Sequence, residues 1–282
     1  MGKQVTELDT LPSFTDTSLL PVHNGTGLKK GLLSQLADYL GNKFSNPNLL
    51  INPDFKINQR RASSYEKQGY SVDRWKIWNV TVTPSASGGI TVKNDKYTDT
   101  GTFIQILENA TEGDSTLSCY VTSVSGTVTM VADDDSQVIL KQGLNVVHTS
   151  KSTKTFTIFL NQGTSVTLKW VKLEQGMVAT EFITPNMAEE LIKCCRFYQK
   201  PQVMYTTYGI ADQHYYHKLP LITVLRINPT VNIEDQYNFN VKTKKIEWRT
   251  DGGTGWLNLD VVAQSDAQTV CQLVCSCDAE IY

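Results

Sequence analysis

His214 and His217 stand three residues apart in "DQHYYHK", a spacing that on a helix would bring two imidazoles together for a metal ion. The surroundings read as a loop or a strand, and neither an H-x-x-x-H pair nor a further acidic ligand completes the set. Asp133, Asp134 and Asp135 could attract Ca²⁺, but between "TVTMVA" and "SQVIL" three acids read more simply as a hairpin turn. A glycosidase needs two carboxylates facing each other across a cleft. Glu108, Glu112, Asp114, Glu174 and Glu181 are scattered, and the sequence does not pair them. The phosphate loop G-x-x-x-x-G-K-[ST] and the nucleophile elbow G-x-S-x-G are absent, and "DGGTGW" is a glycine-rich turn without the lysine. No catalytic set is expected, and no metal or cofactor.

Aromatic and polar surface chemistry is what remains. Tyr205, Tyr208, His214, Tyr215, Tyr216 and His217 crowd "VMYTTYGIADQHYYHK", and Trp248 and Trp256 flank a turn. Aromatic rings stack on the C–H faces of sugars while polar neighbours hold the hydroxyls, and such sites sit on loops of rigid β scaffolds. Tyrosine also suits protein-binding surfaces, offering large area at low entropic cost. Tyr205, Tyr208, His214, Tyr215, Tyr216, Trp248 and Trp256 are therefore the receptor- or carbohydrate-binding candidates. The competing reading packs several of these rings into the core of the C-terminal segment. A second dense stretch, "NLLINPDFKINQRRASSYEKQGYSVDRWKIW", reads instead as the start of a sandwich. Leu49, Leu50, Ile51, Phe55 and Ile57 suggest an entering strand, Trp75 a core residue, and Arg74 one half of an ion pair with an Asp at the sandwich edge.

The elements that must position these residues are mostly strands. With 282 residues and 40% apolar content, the chain can build about two globular cores. A formal charge of −2 argues against a nucleic-acid partner. No apolar run reaches the ~18 residues of a membrane span, so no membrane insertion is expected. Segment 1–46 reads as a hairpin, "SLLPVHNGTGLKKGLL", followed by a short helix, "SQLADYLGNKF". It is too small to bury a core alone and should dock on something larger. Segment 47–184 is a series of short β-branched runs separated by Gly, Asn, Asp and Ser, the pattern of a sandwich or jelly roll. Within it, Phe156, Ile158 and Leu160 alternate toward a core, and "VTLKWVKLEQG" puts Val166, Leu168, Trp170 and Lys172 on one face.

A helix follows, with Thr184 as its cap, Pro185 at its first position, a stripe of Met187, Leu191, Cys194, Cys195 and Tyr198, and Pro201 at its end. Segment 185–282 then returns to strands as a second, smaller sandwich. The predicted fold class is mainly β: a hairpin-helix module, a jelly-roll β-sandwich, a connecting helix and a C-terminal β-sandwich. Of the six cysteines, Cys271, Cys275 and Cys277 alternate with Leu273 on one strand face. The spacing C-x3-C-x-C lacks the C-x2-C pairs of zinc sites, so core thiols are expected.

The order of segments resembles that of tailed-bacteriophage tail-fibre and baseplate proteins. "LPSFTDTSLLPVHNGTGLKKGLLSQLADYL" looks like their N-terminal module, and "NLLINPDFKINQR…YSVDRW" is similar to the opening of their jelly-roll domain. "LKWVKLEQGMVATEF" resembles its closing strand, "EELIKCCRFYQK" the following helix, and "VCSCDAEIY" the last strand of their C-terminal head. The resemblance implies a virion protein made in the host cytoplasm and assembled as a homotrimer. Its N-terminus, with Leu20, Val22, Leu36 and Tyr39, would grip other tail or baseplate proteins, and its head would bind a host-surface glycan or protein. A closed trimer would also bury the 187–198 stripe along its axis. A purely structural tail component and a carbohydrate-active enzyme remain the alternatives. Nothing in the chain matches a depolymerase site, so enzymatic sugar cleavage is not implied.

Overall fold

The computed structural model describes residues 18–23, 26, 28–33, 36, 45–251 and 254–282. The fold is mainly β, and the chain divides into two compact units, Met1–Pro47 with Val178–Ile183, and Asn48–Met177 with Thr184–Tyr282. In the first unit Leu19–His23 pairs antiparallel with Leu28–Leu32, His23 facing Leu28, as expected of a hairpin around 24–27. The helix read at 34–44 lies outside the described residues, apart from the placement of Leu36.

The second unit opens with a β-sandwich of jelly-roll type. Its six-stranded sheet runs, in spatial order, Gln137–Ile139, Val128–Val131, Thr155–Leu160, Gly101–Ile106, Lys76–Trp78 and Gly69–Tyr70. The facing five-stranded sheet runs Gly143–Thr149, Ser115–Ser125, Thr164–Gln175, Ile90–Asn94 and Thr81–Pro84. Alternation places Phe156, Ile158 and Leu160 in the core as predicted. Trp75 is wholly buried, stacked on Phe103 at 4.6 Å and 7°, with its indole N–H donating to the Asn52 carbonyl at 3.0 Å. Asp133 to Asp135 form the turn between Val128–Val131 and Gln137–Ile139, where the Ala132 N–H bonds the Ser136 carbonyl at 2.9 Å.

Strict alternation fails along Thr164–Gln175. A bulge between Thr167 and Trp170 shifts the register, so Val171 and Leu173 join Val166 and Leu168 in the core while Trp170 leaves it. The entering strand expected at 49–57 is also corrected. The segment is a series of turns, with Asn52 and Phe55 at positive φ (57° and 61°), although Leu50, Phe55 and Ile57 are buried. Asn52 holds these turns together. Its side-chain amide donates to the Ile57 and Asp73 carbonyls at 2.8 and 3.0 Å, and its side-chain oxygen accepts from the Ile57 N–H at 2.9 Å.

The helix spans Met187–Cys195 and is capped by Asn186, not Thr184; the Asn186 side chain accepts from the Ala188 and Glu189 N–H groups at 2.9 and 3.4 Å. The helix ends well before Pro201, and Tyr198 already belongs to the short strand Tyr198–Gln199. Cys194 and Cys195 are buried as the stripe predicts, but Met187 is exposed and Glu190 takes an inward place, its carboxylate accepting the Asn52 N–H at 2.7 Å.

Two small sheets close the chain. In one, Ala267–Asp278 lies between Thr230–Phe239 on one side and Gln202–Gly209 and Tyr198–Gln199 on the other. In the other, Thr254–Ala263 lies between His214–Lys218 and Val241–Asp251. Cys271, Leu273, Cys275 and Cys277 face inward with Leu257, Leu259 and Val261, and all six cysteines of the chain are free and buried.

The two sandwiches meet through the chain's last residues. The Arg74 guanidinium pairs with the Glu280 carboxylate, not with an Asp, and also donates to the Ile106 carbonyl at 2.6 Å. It lies 3.7 Å from the centre of the Phe197 ring. Arg60 stacks on Tyr198 at 3.8 Å and lies 3.6 Å from Glu280. Arg226 donates to the Ala279 and Glu280 carbonyls at 3.2 Å, and the Tyr70 hydroxyl bonds the Ile281 carbonyl.

Candidate functional site

The central strand of the second small sheet carries "GWLNLDVVA", a clean alternation. Leu257, Leu259 and Val261 are buried, so Trp256, Asn258 and Asp260 face outward. Register supplies their neighbours. On one side Lys218 pairs with Asn258, Tyr216 with Asp260 and His214 with Val262. On the other, Arg249 pairs with Trp256, Glu247 with Asn258 and Lys245 with Asp260. Side chains directly opposite on an antiparallel pair share a face, so these residues form one polar and aromatic surface.

His214 Nδ1 lies 3.0 Å from both Asp260 carboxylate oxygens, which anchors the imidazole. The His214 and Tyr216 rings are near-parallel, with centroids 6.1 Å apart at 20°. Lys218 Nζ sits 5.3 Å from the Trp256 ring centre. The Lys245 and Arg249 cations flank Glu247, and the hydrogen bond from Lys245 holds its carboxyl below the ordinary value. Aromatic planes thus stand beside donors and acceptors able to bind hydroxyls.

Of the candidates read from sequence, the fold gathers His214, Tyr216 and Trp256 on this face. Tyr205 and His217 meet across the interior, their ring centroids 5.4 Å apart. Tyr215 turns inward too, its hydroxyl accepting from the Ile210 N–H at 2.9 Å. Trp248 pairs with Leu257 and lies over Gly255, where an added Cβ would stand 1.7 Å from Trp248 Cζ2. Tyr208 lies on the outer face of the other small sheet, near Met204, where Tyr237 and Phe239 are also exposed. Lys218, Arg249, Asn258 and Asp260 escaped the sequence reading, although the two-residue period through Trp256 would have found Asn258 and Asp260. Leu20 and Val22 fall on the strand Leu19–His23 with side chains outside the described residues, Leu36 is exposed, and Tyr39 lies outside the described residues.

Among the described residues, no group of three or more His, Cys, Asp or Glu is placed to hold a metal ion, and no helix is long and apolar enough to cross a membrane. No family model matches the chain, and no curated protein matches it. Among solved structures, the native structure of recombinant discoidin II of Dictyostelium discoideum is similar over 68% of this chain and 81% of that one, at 7% identity and a TM-score of 0.20. A likeness at that TM-score carries no argument about this chain.

Proposed function

We propose that the chain is a non-enzymatic receptor-binding component of a bacteriophage tail. In this reading it forms a homotrimer, its N-terminal hairpin unit attaches to other tail or baseplate proteins, and its C-terminal sandwich binds a glycan of the host surface. The observation that carries the glycan reading is the continuous face of Tyr216, Trp256, His214, Asn258 and Asp260. The order of segments resembling tail-fibre proteins supports the setting. Several copies on one virion would turn weak single-site affinity into firm attachment.

The test is binding of the full chain to host cells and to a glycan array. Tyr216→Ala and Trp256→Ala should each weaken binding about tenfold or more, as loss of a central aromatic contact does. The reading is overturned if every glycan-array signal is unchanged by both substitutions. A second reading, a purely structural tail component, is favoured by the exposed apolar side chains of Met204, Tyr208, Tyr237 and Phe239 on the other sheet. It predicts no cell or glycan binding, and loss of particle assembly when these residues become polar.

A further inference from the structure

A concavity of about 460 Å³ opens where the jelly roll's Gln59–Arg61 turn meets the outer face of the first small sheet, across the strands that carry Gln202, Val274 and Gln236. That volume lies within the range of small-ligand sites, roughly 300–1,000 Å³, and joints between packed bodies are where such sites concentrate. Its floor is rigid. The Gln199 amide donates to the Cys195 and Thr223 carbonyls at 2.9 and 2.7 Å and accepts from the Ile222 N–H at 2.8 Å. Gln59 donates to Asp73 and to the Tyr198 carbonyl at 2.6 and 2.7 Å. Both amides are committed to the protein and hold the pocket's shape.

The wall is different. Gln236 Oε1 accepts from both Gln202 and Gln272 at 3.2 Å. This links the three side chains in a row, Gln202 and Gln236 open to solvent, and leaves the Gln236 amide N–H groups and the Gln202 carbonyl oxygen without a partner among the described residues. A hydroxyl needs a donor and an acceptor together, and this row offers both. Leu191, Pro201, Pro220 and Val274 add apolar surface beside them, suited to the C–H face of a sugar ring.

Charge narrows the ligand further. Lys200 is neutralised by Glu234 at 3.0 Å. Arg61, which also lines the pocket, has no ion-pair partner among the described residues. Its backbone is held at φ 58°, with its N–H bonded to the Asn58 carbonyl and side-chain oxygen, both at 3.1 Å. The lining therefore carries one net positive charge, on a planar guanidinium that takes a carboxylate in two parallel hydrogen bonds.

We infer that this pocket binds a saccharide bearing a carboxylate, of the uronic-acid class, with the carboxylate on Arg61 and ring hydroxyls on the Gln202–Gln236 row. The site is separate from the His214–Tyr216–Trp256 face and does not rest on the reading of that face.

The test titrates the full chain with tri-galacturonic acid and with neutral galactotriose, read by calorimetry and by ligand-observed NMR. Arg61→Gln should weaken the acidic probe about tenfold, the loss expected for one charge-assisted contact, and leave the neutral one unchanged. Arg61→Lys should recover only part, because a point charge lacks the two-pronged fit. Gln236→Ala should weaken both probes, and Tyr216→Ala neither. The inference is overturned if tri-galacturonic acid fails to bind at millimolar concentration. It is equally overturned if Arg61→Gln and Gln236→Ala bind as the parent does, or if Tyr216→Ala alone abolishes binding.

Discussion

Arg74 and Glu280 form a pair with 1% and 0% of their side chains exposed. Removing one member of such a pair strands the other charge away from water, a loss of about 3–5 kcal/mol. Glu280→Gln should therefore lower stability by an amount in that range, measured by denaturant unfolding. Beside the pair, burial pushes the Asp73 carboxyl from an ordinary 3.8 up to about 6, against hydrogen bonds from Gln59 and the charge of Arg60, while Glu280 adds repulsion. Glu280 is itself raised by burial, in spite of Arg74 and Arg60. A carboxyl raised on folding keeps its proton in the native state after the unfolded chain has lost it. Its contribution is full below about pH 4 and disappears as pH rises through about 6. Relative to Asp73→Asn, the parent should thus lose roughly 2 kcal/mol between pH 4.5 and pH 7; a gap independent of pH would refute the assignment. Trp75 was legible from sequence as core, since its size and apolarity decide that locally. The partner of Arg74 was not, because the chain has 28 acids and only the tertiary fold selects among them.

At the scale of elements, Asn240 makes the turn by which Thr230–Phe239 leaves one small sheet and Val241–Asp251 enters the other. It holds φ 55°, a left-handed value that asparagine tolerates better than most residues. Its side chain donates to the Ser265 carbonyl and the Thr269 hydroxyl at 2.9 Å, and accepts from the Ser265 N–H at 2.9 Å and its hydroxyl at 2.8 Å. Asn240→Ala should cost about 2–4 kcal/mol from lost bonds and backbone strain together. Asn240→Gly should recover only the strain, and equal stabilities for the two variants would contradict this. Strand existence was readable at this scale because apolar residues alternate, as in "TFTIFLN" and "GWLNLDVVA". The bulge at Thr167–Trp170 was not readable, since one extra residue reverses every later side chain without altering composition. The same limit divided the aromatic candidates: proximity in sequence grouped Tyr215 with Tyr216, and strand geometry sent them to opposite faces.

For the whole molecule, the succession of hairpin strands, jelly-roll strands, helix and C-terminal strands was visible in segment composition. The joint between the sandwiches was not, because it is made by residues distant in sequence: Arg60, Tyr70, Arg74, Tyr198, Arg226 and Glu280. Limited trypsin digestion should leave the bond after Arg226 intact in the parent, where that side chain is tied to the Ala279 and Glu280 carbonyls. Glu280→Gln should accelerate cleavage there by loosening the joint. Equal rates would show that the carboxylate does not hold the two bodies together.

The separation of Arg74 from Glu280 also has a consequence in time. They stand 206 positions apart, which at 5–20 residues per second is roughly 10–40 s of synthesis. Throughout that interval the nascent sandwich carries a guanidinium whose counter-charge has not yet been made. The Arg74–Glu280 pair can close only after the segment following Ala267–Asp278 has been made, so the joint forms after both sandwiches have been synthesised.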